Sequence, residues 1–178
     1  MRRVPRSLSI LQVVILAGGL PKWQAEGRPL NDRPVSRAPR TFHAALDAGA
    51  ARDLAAVRTN LDSHAFQLVD ARPRARFLGE APEPRPWVKP GRVPGSLSLP
   101  STEVVEAGML KDADALRAAI AAAGIDLGRP VVTSCGSGVN AAILTLALET
   151  LGVRSAIYDG SWTEWGSRDD TPIATGPA

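Results

Sequence analysis

Val131-Val-Thr-Ser-Cys135-Gly-Ser-Gly-Val-Asn-Ala141 sets a β-branched apolar run directly against a glycine-rich turn. An apolar stretch, Val139–Leu151, continues from the turn and stops at Gly152. A strand at Pro130–Ser134, a tight loop at Cys135–Gly138 and a helix over Val139–Leu151 are therefore predicted. Such a loop turns backbone N–H groups inward, and the following helix adds partial positive charge at its N-terminus. Both effects stabilise a thiolate and draw a cysteine pKa toward neutrality. They would equally stabilise a persulfide, whose outer sulfur is anionic. A buried, inert cysteine is the plain alternative, but it leaves Gly136 and Gly138 unexplained. A Cys loop for phosphate hydrolysis wants an arginine six residues on, where this chain has Ala141, and the loop holds no Arg or Lys.

Outward from this loop, strands alternate with helices. Phe66–Val69 reads as a buried strand ending at Asp70, Ser96–Leu99 as a second short strand and Ser155–Tyr158 as a third. A helix is expected over Arg52–Leu61, with Leu54, Val57 and Leu61 on one face. Another starts at Asp112, with Leu116, Ile120 and Ala123 on one face, and stops at Gly124. Ser101 or Thr102 caps a brief helix through Val105, and Asp159–Trp165 turns into a short terminal helix. Arg72–Pro94, with six prolines, reads as a long loop; such loops in compact domains are usually functional. The alternation predicts an α/β fold with a central parallel sheet flanked by helices.

The 178 residues suffice for one ordinary core. A net charge of +3 with scattered arginines gives no stripe suited to nucleic acid; a small anionic substrate fits better. One cysteine allows no internal disulfide and no Cys-rich metal site. His43 and His64 stand apart, without ligand spacing, so no metal is expected. A lone thiol fits a reducing, cytoplasmic compartment.

Arg2, Arg3 and Arg6 followed by Leu8–Leu16 share the pattern of a secretory signal, which is too short to span a membrane. The reading adopted is a strand at Gln12–Leu16, buried from Val13, then a short helix to Glu26. Val14-Ile-Leu-Ala-Gly18 through Trp23 repeats Ala156-Ile-Tyr-Asp-Gly160 through Trp165, a strand, a Gly turn and a Trp five residues on. Residues 1–27 are thus expected to be a strand–helix remnant of an earlier domain, 28–40 a linker rich in Pro, Arg and Gly, and 41–178 the catalytic domain.

Cys135-Gly-Ser-Gly-Val139 resembles the active-site loop of the 3-mercaptopyruvate sulfurtransferases of the rhodanese superfamily. Leu68-Val-Asp-Ala-Arg72, Arg76-Phe-Leu-Gly79, Pro82-Glu-Pro-Arg85, Pro90-Gly-Arg-Val-Pro-Gly95 and Tyr158-Asp-Gly-Ser-Trp162-Thr-Glu-Trp165 agree in order. The resemblance implies a rhodanese-like fold in which Cys135 carries sulfur from mercaptopyruvate to a thiol (thioredoxin or a small thiol) or to cyanide. No cofactor, nucleic acid or membrane enters that chemistry. It further implies that Arg76 and Arg85 clamp the keto acid, since guanidinium forks suit a planar anion. Ser137 resembles a loop serine that assists proton transfer or polarises the substrate, the plain alternative being hydrogen bonding within the loop. Gly136, Gly138, Val139 and Asn140 complete the cradle, and Asp70, Arg72, Asp159 and Trp162 support it. Asn140 stands where these proteins usually carry Thr. Their first domain, which packs over the cleft, would be represented here only by its tail. Two alternatives stay open: a thiosulfate-using enzyme, and a sulfur-binding or interaction module without turnover.

Overall fold

The computed structural model describes residues 2–3, 14–39, 41 and 45–177. In chain order the elements are β1 (Arg2–Arg3), β2 (Val14–Ile15), α1 (Gly19–Ala25), β3 (Ala51–Arg52), α2 (Leu54–Ser63), β4 (Gln67–Asp70), α3 (Arg74–Leu78) and β5 (Leu97–Ser98). A 3₁₀ turn at Ser101–Glu103 follows, then β6 (Val105–Glu106), β7 (Met109–Leu110), α4 (Ala113–Ala122), β8 (Val131–Ser134), α5 (Val139–Thr150), β9 (Ser155–Tyr158) and α6 (Ser161–Trp165). The central sheet has the order β3-β9-β8-β4-β5, and every neighbouring pair in it is parallel.

Alternation along the strands feeds two cores. Val69 and Val131 face one way, toward Leu116 and Ile120 of α4 and Leu144 and Leu148 of α5. Leu68 and Val132 face the other, toward Val57 of α2, Tyr158, Trp162 and Trp165. Helices therefore cover both faces, as a parallel sheet requires. Asp70 of β4 stands opposite Ser134 of β8, and the Ala71 N–H donates to the Ser134 carbonyl at 2.8 Å. The segments after Asp70 and Ser134 thus leave the sheet side by side at its carboxyl edge, where open α/β sheets bind ligands.

Several expectations need correction. Val14–Ile15 is a strand, but it pairs with Arg2–Arg3 rather than joining the central sheet. Val14, Ile15 and Leu16 are 51, 42 and 54% exposed, so they are not the buried strand expected from their apolar run; Val13 and Gln12 lie outside the described residues. Arg52 belongs to edge strand β3, and the helix begins only after Asp53, whose carboxylate accepts the Ala56 N–H at 2.8 Å. The stretch read as all loop contains α3, opened by Pro73 and closed by Gly79 in the left-handed conformation (φ +78°). The helix expected through Val105 is a 3₁₀ turn ending at Glu103. Val105 instead opens a hairpin whose two turn residues, Ala107 and Gly108, both have positive φ. Residues 27–39 contain no helix or strand and are exposed. No described helix is long and apolar enough to cross a membrane.

Candidate active site

Cys135 leaves the end of β8 and is 2% exposed, its side chain packed into the core beneath α5. Gly138 caps α5 in the left-handed conformation, φ +82°, and a Cβ there would come within 3.5 Å of the Asp159 carbonyl. The Ala142 N–H donates to the Gly138 carbonyl. Among the described residues, the amides from Gly136 through Ala141 have no acceptor. Unpaired N–H groups at a helix start are what a bound anion uses.

Consecutive residues of α6 brace this loop. Ser161 Oγ accepts the Cys135 N–H at 3.3 Å and donates to the Tyr158 carbonyl at 2.8 Å. Trp162 N–H donates to the Cys135 carbonyl at 2.8 Å, and Thr163 N–H to the Gly136 carbonyl at 2.8 Å. The Thr163 hydroxyl donates to the same Gly136 carbonyl. Asp159 is exposed, and both its carbonyl and its carboxylate lie within 4 Å of where a Cβ on Gly138 would stand. Burial and a 2.7 Å hydrogen bond to the Glu164 carboxylate push the Tyr158 hydroxyl far above its ordinary pKa. That phenol therefore stays neutral at working pH and is not a base for the site.

Opposite the cysteine loop, Arg72 is 1% exposed and fully engaged. Nε and Nη2 bond the Asp70 carboxylate, Nη1 bonds Glu83 at 2.8 Å and Nη2 bonds the Gly91 carbonyl at 2.8 Å. The guanidinium also lies over the Trp162 ring, 4.5 Å from its centroid. Asp70 and Arg72 thus tie the segment from Glu83 to Gly91 onto the sheet edge, and Trp162 closes the network from α6. Arg76 comes from the last turn of α3. Arg85 comes from the proline-rich loop, and its Nη1 donates to Thr163 Oγ1 at 3.0 Å. Among the described residues neither Arg76 nor Arg85 has a carboxylate partner.

These parts meet around one cavity of about 150 Å³. Arg72, Arg76, Glu83, Arg85, Cys135, Gly136, Ser137, Val139, Asn140 and Thr163 all line it. Gly138, expected in the cradle, does not line it and instead caps α5. A groove of about 1130 Å³ opens at the opposite end of the strands, beside Phe66, Pro130 and Ser155. Size does not make it the site, because its lining includes no cysteine. Cys135 is buried from bulk water and packed in the core, and it is also among the residues that line the smaller cavity. Glu83, Ser161 and Thr163 were not singled out from the sequence. Glu83 lies inside the Pro-Glu-Pro-Arg block, and the other two between the Gly turn and the second Trp of the internal repeat. His64 is the left-handed cap of α2, away from the cavity, and His43 lies outside the described residues. Among the described residues no group of three His, Cys, Asp or Glu side chains is placed to hold a metal ion.

The family model of the rhodanese-like domain matches residues 53–168. The chain belongs to the rhodanese-like domain family. This rhodanese domain is 41% identical over 169 residues to the 3-mercaptopyruvate sulfurtransferase of Escherichia coli (strain K12), covering 94% of this chain and 60% of that protein. It is 38% identical over 159 residues to the thiosulfate sulfurtransferase of Bos taurus, covering 88% of this chain and 54% of that one. The crystal structure of SseA from Escherichia coli superposes with a TM-score of 0.77 at 39% identity, over 88% of this chain and 59% of the other. The rhodanese domain thus spans about 60% or less of the length of these relatives.

Proposed function

We propose that this chain transfers sulfur from 3-mercaptopyruvate to a thiol or cyanide through a persulfide on Cys135, releasing pyruvate. The observation that carries the reading is the cavity: a nucleophile, two arginines without carboxylate partners and a run of unbonded amides share about 150 Å³. That volume is below the ~300–1,000 Å³ of drug-sized pockets and suits a three-carbon acid.

In the first half-reaction the Cys135 thiolate attacks the substrate sulfur, and the S–S bond forms as the carbon–sulfur bond breaks. The electron pair moves onto carbon, giving the pyruvate enolate, which takes up the proton that the new persulfide releases. Arg76 and Arg85 hold the carboxylate and keto oxygen, so developing enolate charge meets fixed cations. The unbonded amides of Gly136, Ser137, Val139 and Asn140, the loop residues that line the cavity, hold the anionic outer sulfur. In the second half-reaction an acceptor thiol attacks that sulfur, its proton leaves with the acceptor persulfide, and the Cys135 thiolate returns. Cyanide instead leaves as thiocyanate. Ser137, exposed at the cavity rim, is placed to hydrogen-bond the substrate.

The absence of Arg and Lys from the loop Gly136–Asn140 favours a singly charged donor over dianionic thiosulfate. Arg72 adds little field, since Asp70 and Glu83 both neutralise it. Steady-state kinetics with the two donors test this: kcat/KM is expected to be higher for mercaptopyruvate, and a preference for thiosulfate, or no turnover of either, refutes the reading. Substituting Arg76 or Arg85 by alanine is expected to lower kcat/KM for mercaptopyruvate roughly 10–100-fold each, the worth of one charge-assisted hydrogen bond. Unchanged values would remove that arginine from the site.

A further inference from the structure

We infer that Thr163 is a positioning residue, its hydroxyl fixing the Arg85 guanidinium against the cysteine loop so that a carboxylate held by Arg85 arrives in register with Cys135. The inference rests on the proposed role of Arg85 as an anion clamp. Arg85 is exposed, on a loop between two prolines. A free arginine side chain there loses much rotamer entropy on gripping a ligand, which weakens the grip unless something orders it beforehand. Among the described residues, the bond from Nη1 to Thr163 Oγ1 at 3.0 Å is what orders it.

The direction of that bond is fixed by its neighbour. A hydroxyl has one proton, and Thr163 commits it to the Gly136 carbonyl. Its lone pairs are left for Arg85, and donation on one side strengthens acceptance on the other. A directional chain thus runs from Arg85 through Thr163 to Gly136, the residue after the nucleophile. One guanidinium N–H is used, and the remaining donors of the fork stay available for a carboxylate. The loop brace does not depend on the hydroxyl alone, because the Thr163 N–H also holds the Gly136 carbonyl at 2.8 Å. Thr163→Val therefore removes the relay and keeps the brace, whereas Thr163→Ser keeps both.

The test compares alkylation of Cys135 by iodoacetate, an anion, and iodoacetamide, its neutral counterpart, in the full chain. The ratio of the two rates cancels changes in the thiol itself and reports how well an incoming carboxylate is held. Thr163→Val is expected to lower the ratio roughly fivefold, the worth of one ordinary hydrogen bond, and Thr163→Ser to restore it. With mercaptopyruvate the same valine variant is expected to raise KM roughly fivefold while kcat moves less. A ratio unchanged by valine overturns the inference, as does an equal slowing of both reagents that serine fails to rescue. If the ratio falls as expected but the unaltered protein does not turn over mercaptopyruvate, the positioning role stands and the proposed substrate is what fails.

Discussion

Cys135→Ser is expected to yield a folded protein with no persulfide and no turnover above background, a loss on the order of 10⁶-fold as for other covalent nucleophiles. The hydroxyl is nearly the size of the thiol, but it ionises far too weakly to attack sulfur at neutral pH. Stability changes little by comparison. Serine places a hydroxyl where Cys135 packs beneath α5, at a cost of about 1–3 kcal/mol, against which the nearby unbonded amides offer partners. Circular dichroism separates the two effects: a native spectrum with zero pyruvate release is the expected result. Residual turnover within about tenfold of the parent protein would mean that another group carries the sulfur.

Arg72→Met is expected to be the most damaging single change to the fold near the site. The guanidinium is the shared counter-charge for Asp70 and Glu83, whose side chains are each 5% exposed, and a donor to the Gly91 carbonyl. Methionine keeps most of the apolar stem but strands two buried carboxylates. Removing one partner from a buried ion pair typically costs about 3–5 kcal/mol. For a chain of this size that corresponds to a melting temperature lower by roughly 10 °C. The loop from Glu83 to Gly91 also loses its anchor, so Arg85 should lose its place and activity should fall even well below the melting point. Thermal denaturation followed by circular dichroism checks the first expectation, and kinetics at low temperature the second. A variant melting within about 2 °C of the parent would show that the network contributes shape but little stability.

The cysteine loop was legible because its signals are local. β8, the loop and α5 follow one another, and punctuation at Gly136, Gly138 and Gly152 marks each junction. Helix α4 was legible for the same reason, from its Asp112 cap and its apolar face. The bonds that complete the site join residues far apart in sequence, and no local pattern encodes them. Arg85 meets Thr163 across 78 positions. The Arg72–Glu83 pair spans 11 positions and crosses a loop whose path prolines conceal. Helix α3 escaped notice because five residues are too few to show periodicity, although Pro73 and Gly79 bracketed it. The β6–β7 hairpin escaped because Ala107-Gly108 lacks the Asn or Asp that usually announces such a turn. The apolar run at Val14–Leu16 misled in the other direction: hydrophobicity marks a strand that could be buried, not one that finds a sheet to cover it.

The most direct measurement is the intact mass of the protein, and of its Cys135 peptide, after incubation with 3-mercaptopyruvate and removal of the donor. The account predicts one additional sulfur atom, located on Cys135 and discharged by cyanide as thiocyanate. A folded protein whose Cys135 still alkylates, yet gains no sulfur, would contradict it.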